Sequence, residues 1–192
     1  MRAVPRTMIY AVLVAACIFG PSTSRASEDI PANLEAELVA RLVSYDKNLK
    51  ERAGARVSIV IAVKEGDASS ERAAGQLSSA FSRIDRIAGL PHDTWTVPYA
   101  DATTFVETCK NHQASIVVVT DALTSEVERL RAAFGSMNVI TVGPTGEMAR
   151  RGMVLGFELV SSRPKLFINL TQAGKQNVAM SADVLKLMTV YR

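Results

Sequence analysis

Val57-Ser58-Ile59-Val60-Ile61-Ala62-Val63 decides how this 192-residue chain folds. The run has strand length, is apolar at almost every position, and is closed by Glu65-Gly66-Asp67. A strand with one wet face alternates apolar and polar residues, whereas continuous hydrophobicity implies burial on both faces. This stretch is therefore read as a central strand of a parallel sheet. Ser115-Ile116-Val117-Val118-Val119-Thr120 has the same character and receives the same reading.

The flanking sequence supplies the other elements. On the N-terminal side Asn33, Leu34, Leu38, Val39, Leu42, Val43, Tyr45 and Leu49 recur at three- and four-residue spacing. They predict one helix that ends near Ala53-Gly54. Beyond the first strand, Ser69 or Ser70 is expected to cap a helix with Ala73, Leu77, Ala80, Phe81, Ile84 and Ile87 inward. Gly89-Leu90-Pro91 stops it. Thr94 to Tyr99 reads as a shorter strand, which Pro98 assigns to an edge or an end. Residues 102 to 112 form a helix with Phe105, Val106 and Cys109 inward, and Leu123 to Phe134 forms another. Val139 to Val142 is a further strand, ended by Gly143-Pro144.

Strands alternating with helices imply right-handed crossovers and a largely parallel sheet. The C-terminal part breaks that rhythm. Met153 to Val160 and Lys165 to Leu170 read as strands of an antiparallel hairpin linked by Ser161-Ser162-Arg163-Pro164. A last amphipathic helix is predicted from Val184, Leu185, Leu187, Met188 and Tyr191, capped by Ser181. No linker or repeat divides the chain. The expectation is a single three-layer α/β domain over residues 27–192 with a mostly parallel sheet.

The formal charge of +3 invites a nucleic-acid reading, but its distribution removes it. Residues 1–26 hold Arg2, Arg6 and Arg25 and no acidic residue, so the 22 basic side chains less these three balance the 19 acidic ones. A neutral body has no electrostatic footprint for phosphate backbones, so no nucleic-acid partner is expected. The leading residues read instead as an export signal: a basic end, an apolar run from Thr7 to Gly20, and Ser24-Arg25-Ala26 for cleavage. A soluble periplasmic protein released near Ala26 is expected, with no membrane span in the mature chain. The alternative is a lipoprotein, because Val14-Ala15-Ala16-Cys17 fits a lipobox with Cys17 as the anchored residue.

Chemistry-bearing residues are sparse. Cys109 and His112 are three apart on one helix, but no third group orients the pair, and the thiol reads as a buried core residue. Two histidines and one mature cysteine cannot furnish a metal site, and no cofactor motif occurs. Glu35/Glu37 and Glu126/Glu128 lie two apart on helices, diverge, and read as solvated faces. No catalytic residues are assigned. The loop from Thr141 to Gly152 could offer backbone amides to an anion, with Arg150 and Arg151 adding charge, although it is not a P-loop. Ligands of parallel sheets sit beyond the carboxyl ends of the strands. Here that edge carries Lys64, Glu65, Tyr99, Thr120, Asp121, Gly143 and Pro144.

Arg151-Gly152-Met153-Val154-Leu155-Gly156-Phe157-Glu158-Leu159, Pro164-Lys165-Leu166-Phe167-Ile168-Asn169-Leu170, and Val178 to Leu187 together resemble the YfiR family, the DUF4154 domain. The resemblance covers most of residues 34–191 and is specific in the C-terminal part. It implies an α/β sandwich like one lobe of a periplasmic binding protein. It also implies a non-enzymatic regulator that holds the periplasmic part of an inner-membrane diguanylate cyclase inactive, tuning cyclic-di-GMP and biofilm. Self-association as a homodimer is common among such relatives. Two departures stand out. Tyr45-Asp46-Lys47-Asn48 replaces the aromatic-rich end of the first helix, and Cys109 lacks the second cysteine of a redox pair. Tyr45, Asp46 and Asn48 are therefore expected to contact a partner, beside the ligand candidates Lys64, Tyr99, Thr120, Asp121, Gly143, Arg150 and Arg151. The alternative reading is a single-lobe small-molecule receptor of the solute-binding-protein type.

Overall fold

In the computed structural model, which describes residues 30–192, the apolar run at Val57 becomes strand β1 (Val57–Lys64). The export signal, its cleavage near Ala26 and lipid attachment at Cys17 lie outside the described residues. β1 is bonded in parallel to β2 (His92–Tyr99) on one side and to β3 (Ile116–Val119) on the other. β4 (Ile140–Val142) and β5 (Leu155–Val160) continue the parallel order; β6 (Arg163–Asn169) runs antiparallel to β5, and β7 (Met188–Tyr191) is parallel to β6. The seven strands form one sheet in the order β2-β1-β3-β4-β5-β6-β7. β2 is an edge strand, the place Pro98 allows.

Burial on both faces of β1 is explicit. Ile59 and Ile61 join the core formed with α1 (Ala32–Val43), α2 (Leu49–Ala53) and α3 (Ala68–Phe81), to which α7 (Leu170–Lys175) and α8 (Ala182–Leu185) add Ala173 and Val184. Val60 and Ala62 join the opposite core with α4 (Ala102–Asn111), α5 (Val127–Phe134) and α6 (Gly146–Arg151). The result is three layers, helix–sheet–helix: α1, α2 and α3 share one face, and the chain crosses to the other face after β2, where α4 begins.

Six expectations need correction. The first helix stops at Val43 rather than near Ala53-Gly54, and α2 starts anew at Leu49. Between them Asp46 makes a bridge to Met180, and its Oδ1 accepts the Ala179 amide at 2.7 Å, which pulls the backbone out of the helical path. Asp67, not Ser69 or Ser70, caps α3, because its carboxylate accepts both of those amides. α3 also ends at Phe81, short of Ile84 and Ile87. The stretch from Asp121 to Glu126 is a 3-10 turn that precedes α5, so the helix starts at Val127. The last helix is only Ala182–Leu185, and Met188–Tyr191 is a strand instead. Its β-branched and aromatic residues complete the sheet beside β6, with the Tyr191 ring stacked on Phe167 at 5.8 Å. The hairpin is present, but its turn is only Ser161-Ser162, both residues lying at positive φ (52° and 59°).

Candidate functional site

β1 and β3 are neighbours in the sheet, but the chain leaves β1 toward β2 on one side and leaves β3 toward β4 on the other, so the connections diverge between them. Beyond the carboxyl ends of strands at such a point a crevice opens, since flanking helices diverge to either face of the sheet. Here the crevice is a cavity of about 420 Å³. Its walls come from the start of α3 (Asp67, Ser69, Ser70), the end of β3 (Thr120, Asp121), the loop after β4 (Pro144, Thr145), Glu158 on β5 and Glu35 on α1.

The hydroxyls beneath the cavity are fully engaged. The Lys64 amide donates to Ser70 Oγ at 2.8 Å, Ser70 Oγ lies 2.6 Å from Thr120 Oγ1, and Thr120 Oγ1 donates to the Ala62 carbonyl at 3.3 Å. The proton order that satisfies all three has Ser70 donating to Thr120. This relay ties α3 to the ends of β1 and β3, and neither hydroxyl has a base beside it. Ser69 Oγ donates to the Asp67 carboxylate that caps the helix. Those bonds hold Asp67 below the usual carboxylate range, led by the Ser69 side chain.

Glu35 contrasts with all of these. It is only 5% exposed, lines the cavity, and its Oε1 has no hydrogen-bond partner among the described residues. Burial pushes its carboxyl up to about 7. The expectation of a solvated Glu35/Glu37 face is corrected: Glu37 is exposed, but Glu35 shares the inward face with Val39 and Leu42. That signal was present in the sequence, because Glu35, Val39 and Leu42 stand at i, i+4 and i+7. Glu126 is likewise engaged rather than free, accepting Tyr99 Oη at 3.0 Å and pairing with Arg129.

The remaining candidates divide clearly. Thr120 and Asp121 line the cavity. Lys64 and Tyr99 end β1 and β2 nearby; burial, reinforced by Glu126, pushes the Tyr99 phenol up to about 12. Gly143 is buried where a Cβ would come within 2.6 Å of the Met148 side chain, so it serves the close approach of α6 to β4. Arg150 pairs with Glu147, and Arg151 donates to the Thr124 carbonyl at 2.7 Å and pairs with Glu128. These commitments remove the charge expected for an anion loop. Asp46, expected at a partner surface, is instead inside: it pairs with Arg52 at 2.6 Å, the two side chains being 0% and 2% exposed. Asn48 donates to the Asn177 carbonyl, so both residues clamp the C-terminal segment, while Tyr45 remains at the surface.

Cys109 is free and buried, and burial pushes its thiol up to about 12, which keeps it protonated and unreactive. His112 turns away to the Trp95 ring, 4.7 Å between centroids, and His92 Nε2 meets the Ile84 carbonyl at 2.7 Å. Among the described residues no group of three or more His, Cys, Asp or Glu is arranged to hold a metal. No described helix is long and apolar enough to cross a membrane.

Comparison with known proteins places this arrangement. Residues 32–189 match the family model DUF4154, described as YfiR/HmsC-like. No curated protein matches at a significant level. Among solved structures, a conserved domain protein from Vibrio cholerae superposes with a TM-score of 0.63 at 14% identity, covering 87% of this chain and 62% of its own. The ABC domain in complex with L-Trp from Streptococcus pneumonia gives 0.59 at 14% identity, covering 84% and 62%. A ligand-free, open substrate binding protein with adhesive properties from Clostridium difficile gives 0.57 at 9% identity, covering 76% and 58%. The chain thus spans about three-fifths of the length of these structures, and what it shares with them is a fold.

Proposed function

The chain belongs to the YfiR/HmsC-like family, and on that premise we propose that it is a non-enzymatic periplasmic regulator of an inner-membrane diguanylate cyclase, acting by protein–protein contact. The observation that carries this reading is the family match over residues 32–189, essentially the whole described domain. The site chemistry agrees with it. Burial pushes the Cys109 thiol up, and the Ser70–Thr120 relay ends on the Ala62 carbonyl rather than on a base.

The partner face we assign is the apolar depression of about 370 Å³ where α1 meets the C-terminal segment, lined by Leu38, Tyr45, Leu166 and Leu187. Leu187 is 73% exposed there, an unusual position for a leucine next to other apolar residues. Arg41 and Asp183 on its rim supply one charge of each sign, suited to orienting a protein partner rather than a charged surface. Tyr45 and Leu187 are the anchors expected to carry most of the affinity. Affinity capture of the exported protein from detergent-solubilised membranes tests this. Recovery of a diguanylate cyclase, lost with Leu187→Asp, is the expected result. Capture of further copies of this chain alone, with no cyclase, would overturn the reading.

A further inference from the structure

The cavity beyond β1 and β3 is acidic and contains a group the fold itself does not explain. Glu35, Asp67, Asp121 and Glu158 line it, and among the described residues no Lys, Arg or His does. Asp67 is occupied in capping α3, and Asp121 accepts Thr124 Oγ1 at 3.2 Å. Of these four carboxylates, Glu35 is the one with a buried oxygen that has no partner among the described residues. A buried carboxyl without donors is a persistent cost to the folded state, which a ligand that supplies donors removes. The amides at the start of α3 would favour an anion, but the Asp67 carboxylate already fills them.

We propose that this cavity binds a small organic cation, a linear aliphatic amine whose ammonium group donates to Glu35. A metal ion fits the charge but not the arrangement, because the described carboxylates form no converging group of three. An amine carried on methylenes satisfies both constraints. Its charged end meets a carboxylate, and its chain lies along Ile30 and Leu77, which line the same space. At about 420 Å³ the cavity is within the usual range for a small-molecule site. The other titratable residues lining the cavity are all acidic, namely Asp67 from α3, Asp121 from the end of β3 and Glu158 from β5, and the cation whose charge acts on Asp67 is Lys64. Arg83 is turned to Asn33 instead. Ionisation of Glu35 therefore strengthens binding, and affinity rises as pH climbs through 7.

This assignment is independent of the cyclase reading, since it concerns the purified chain alone. Calorimetric titration of the exported protein with 1,4-diaminobutane, 1,4-butanediol, succinate and calcium chloride tests it. The diamine is expected to bind, more tightly at pH 8 than at pH 6, with the diol and succinate failing to bind. Glu35→Gln is expected to weaken the diamine at least tenfold and to flatten the pH profile, while Glu37→Gln leaves both unchanged. Asp121→Asn, a surface change that does not threaten folding, is expected to weaken it about threefold. Absence of diamine binding at pH 8, equal binding of the diol, tighter binding of calcium, or an unchanged Glu35→Gln profile would overturn the proposal.

Discussion

Two carboxylates near opposite ends of the first helix are equally hidden, yet their surroundings are opposite. Asp46, 5% exposed, is met by Arg52 and by the Ala179 and Asn48 amides. Glu35, also 5% exposed, has an oxygen with no donor among the described residues and faces a cavity. A buried charge whose partners come from the chain is architecture: Asp46 fastens the α1–α2 junction to the C-terminal segment. A buried charge without such partners is a demand on something else. That difference separates a carboxylate that holds the fold together from one at which we propose a ligand binds.

The largest effect should follow from breaking the satisfied site. Asp46→Asn leaves the Arg52 guanidinium buried without its counter-charge, and loss of one member of such a pair typically costs about 3–5 kcal/mol. A fall of that size in urea-unfolding stability is expected; a change below about 1 kcal/mol would show that Asp46 is replaceable and that the contrast fails.

Relieving the unsatisfied site should act in the other direction. Because Glu35 titrates near 7 when folded and near 4.5 in its unperturbed form, the folded state binds more protons between those values. Stability therefore falls as pH rises through that window, by about 3 kcal/mol in all at roughly 1.4 kcal/mol per pH unit. Glu35→Gln removes this dependence. It is expected to stabilise the protein by up to that amount at pH 8 and hardly at all at pH 4, measured by urea unfolding at both. The same increment at both pH values would mean that packing, not charge, is being changed.

A smaller effect lies away from both carboxylates, at the β5–β6 turn. Ser161 and Ser162 each adopt a left-handed conformation that suits Asn-Gly better than Ser-Ser. Replacing the pair by Asn-Gly should add about 1 kcal/mol, read as a rise of a few degrees in thermal midpoint. The smallest effect belongs to Cys109. Its thiol should resist alkylation at pH 8 until the chain unfolds, and Cys109→Ala should leave regulation intact; rapid labelling of the folded protein would contradict its burial.

What the sequence revealed follows the same division. β1 and β3 were legible because a run that is apolar on both faces fits little besides a central strand, and Pro98 correctly marked β2 as an edge. The failures occurred where tertiary bonds override periodicity. Leu49 continues the helical spacing of α1, yet Asp46 and its bridge to Met180 interrupt the helix. Leu185 and Met188 mimic a helical face, yet β6 offers an unpaired edge that Met188–Tyr191 completes. Of the candidate site, Thr120 and Asp121 were legible from their place after a parallel strand, and both line the cavity. Glu35 was hidden by its neighbour Glu37, since a pair two apart suggests solvent although only one member is there. Arg151 looked free because its partner Glu128 becomes evident only with α5 and α6 side by side, whereas the Glu147–Arg150 pair is three apart on α6 and was legible in the sequence.

We propose regulation of a diguanylate cyclase by protein–protein contact. Its most direct test is the cellular cyclic-di-GMP level in a strain deleted for the gene and complemented with wild type or with Leu187→Asp. The level should rise on deletion, return with wild type and stay high with Leu187→Asp. A level unchanged by deletion would contradict the claim.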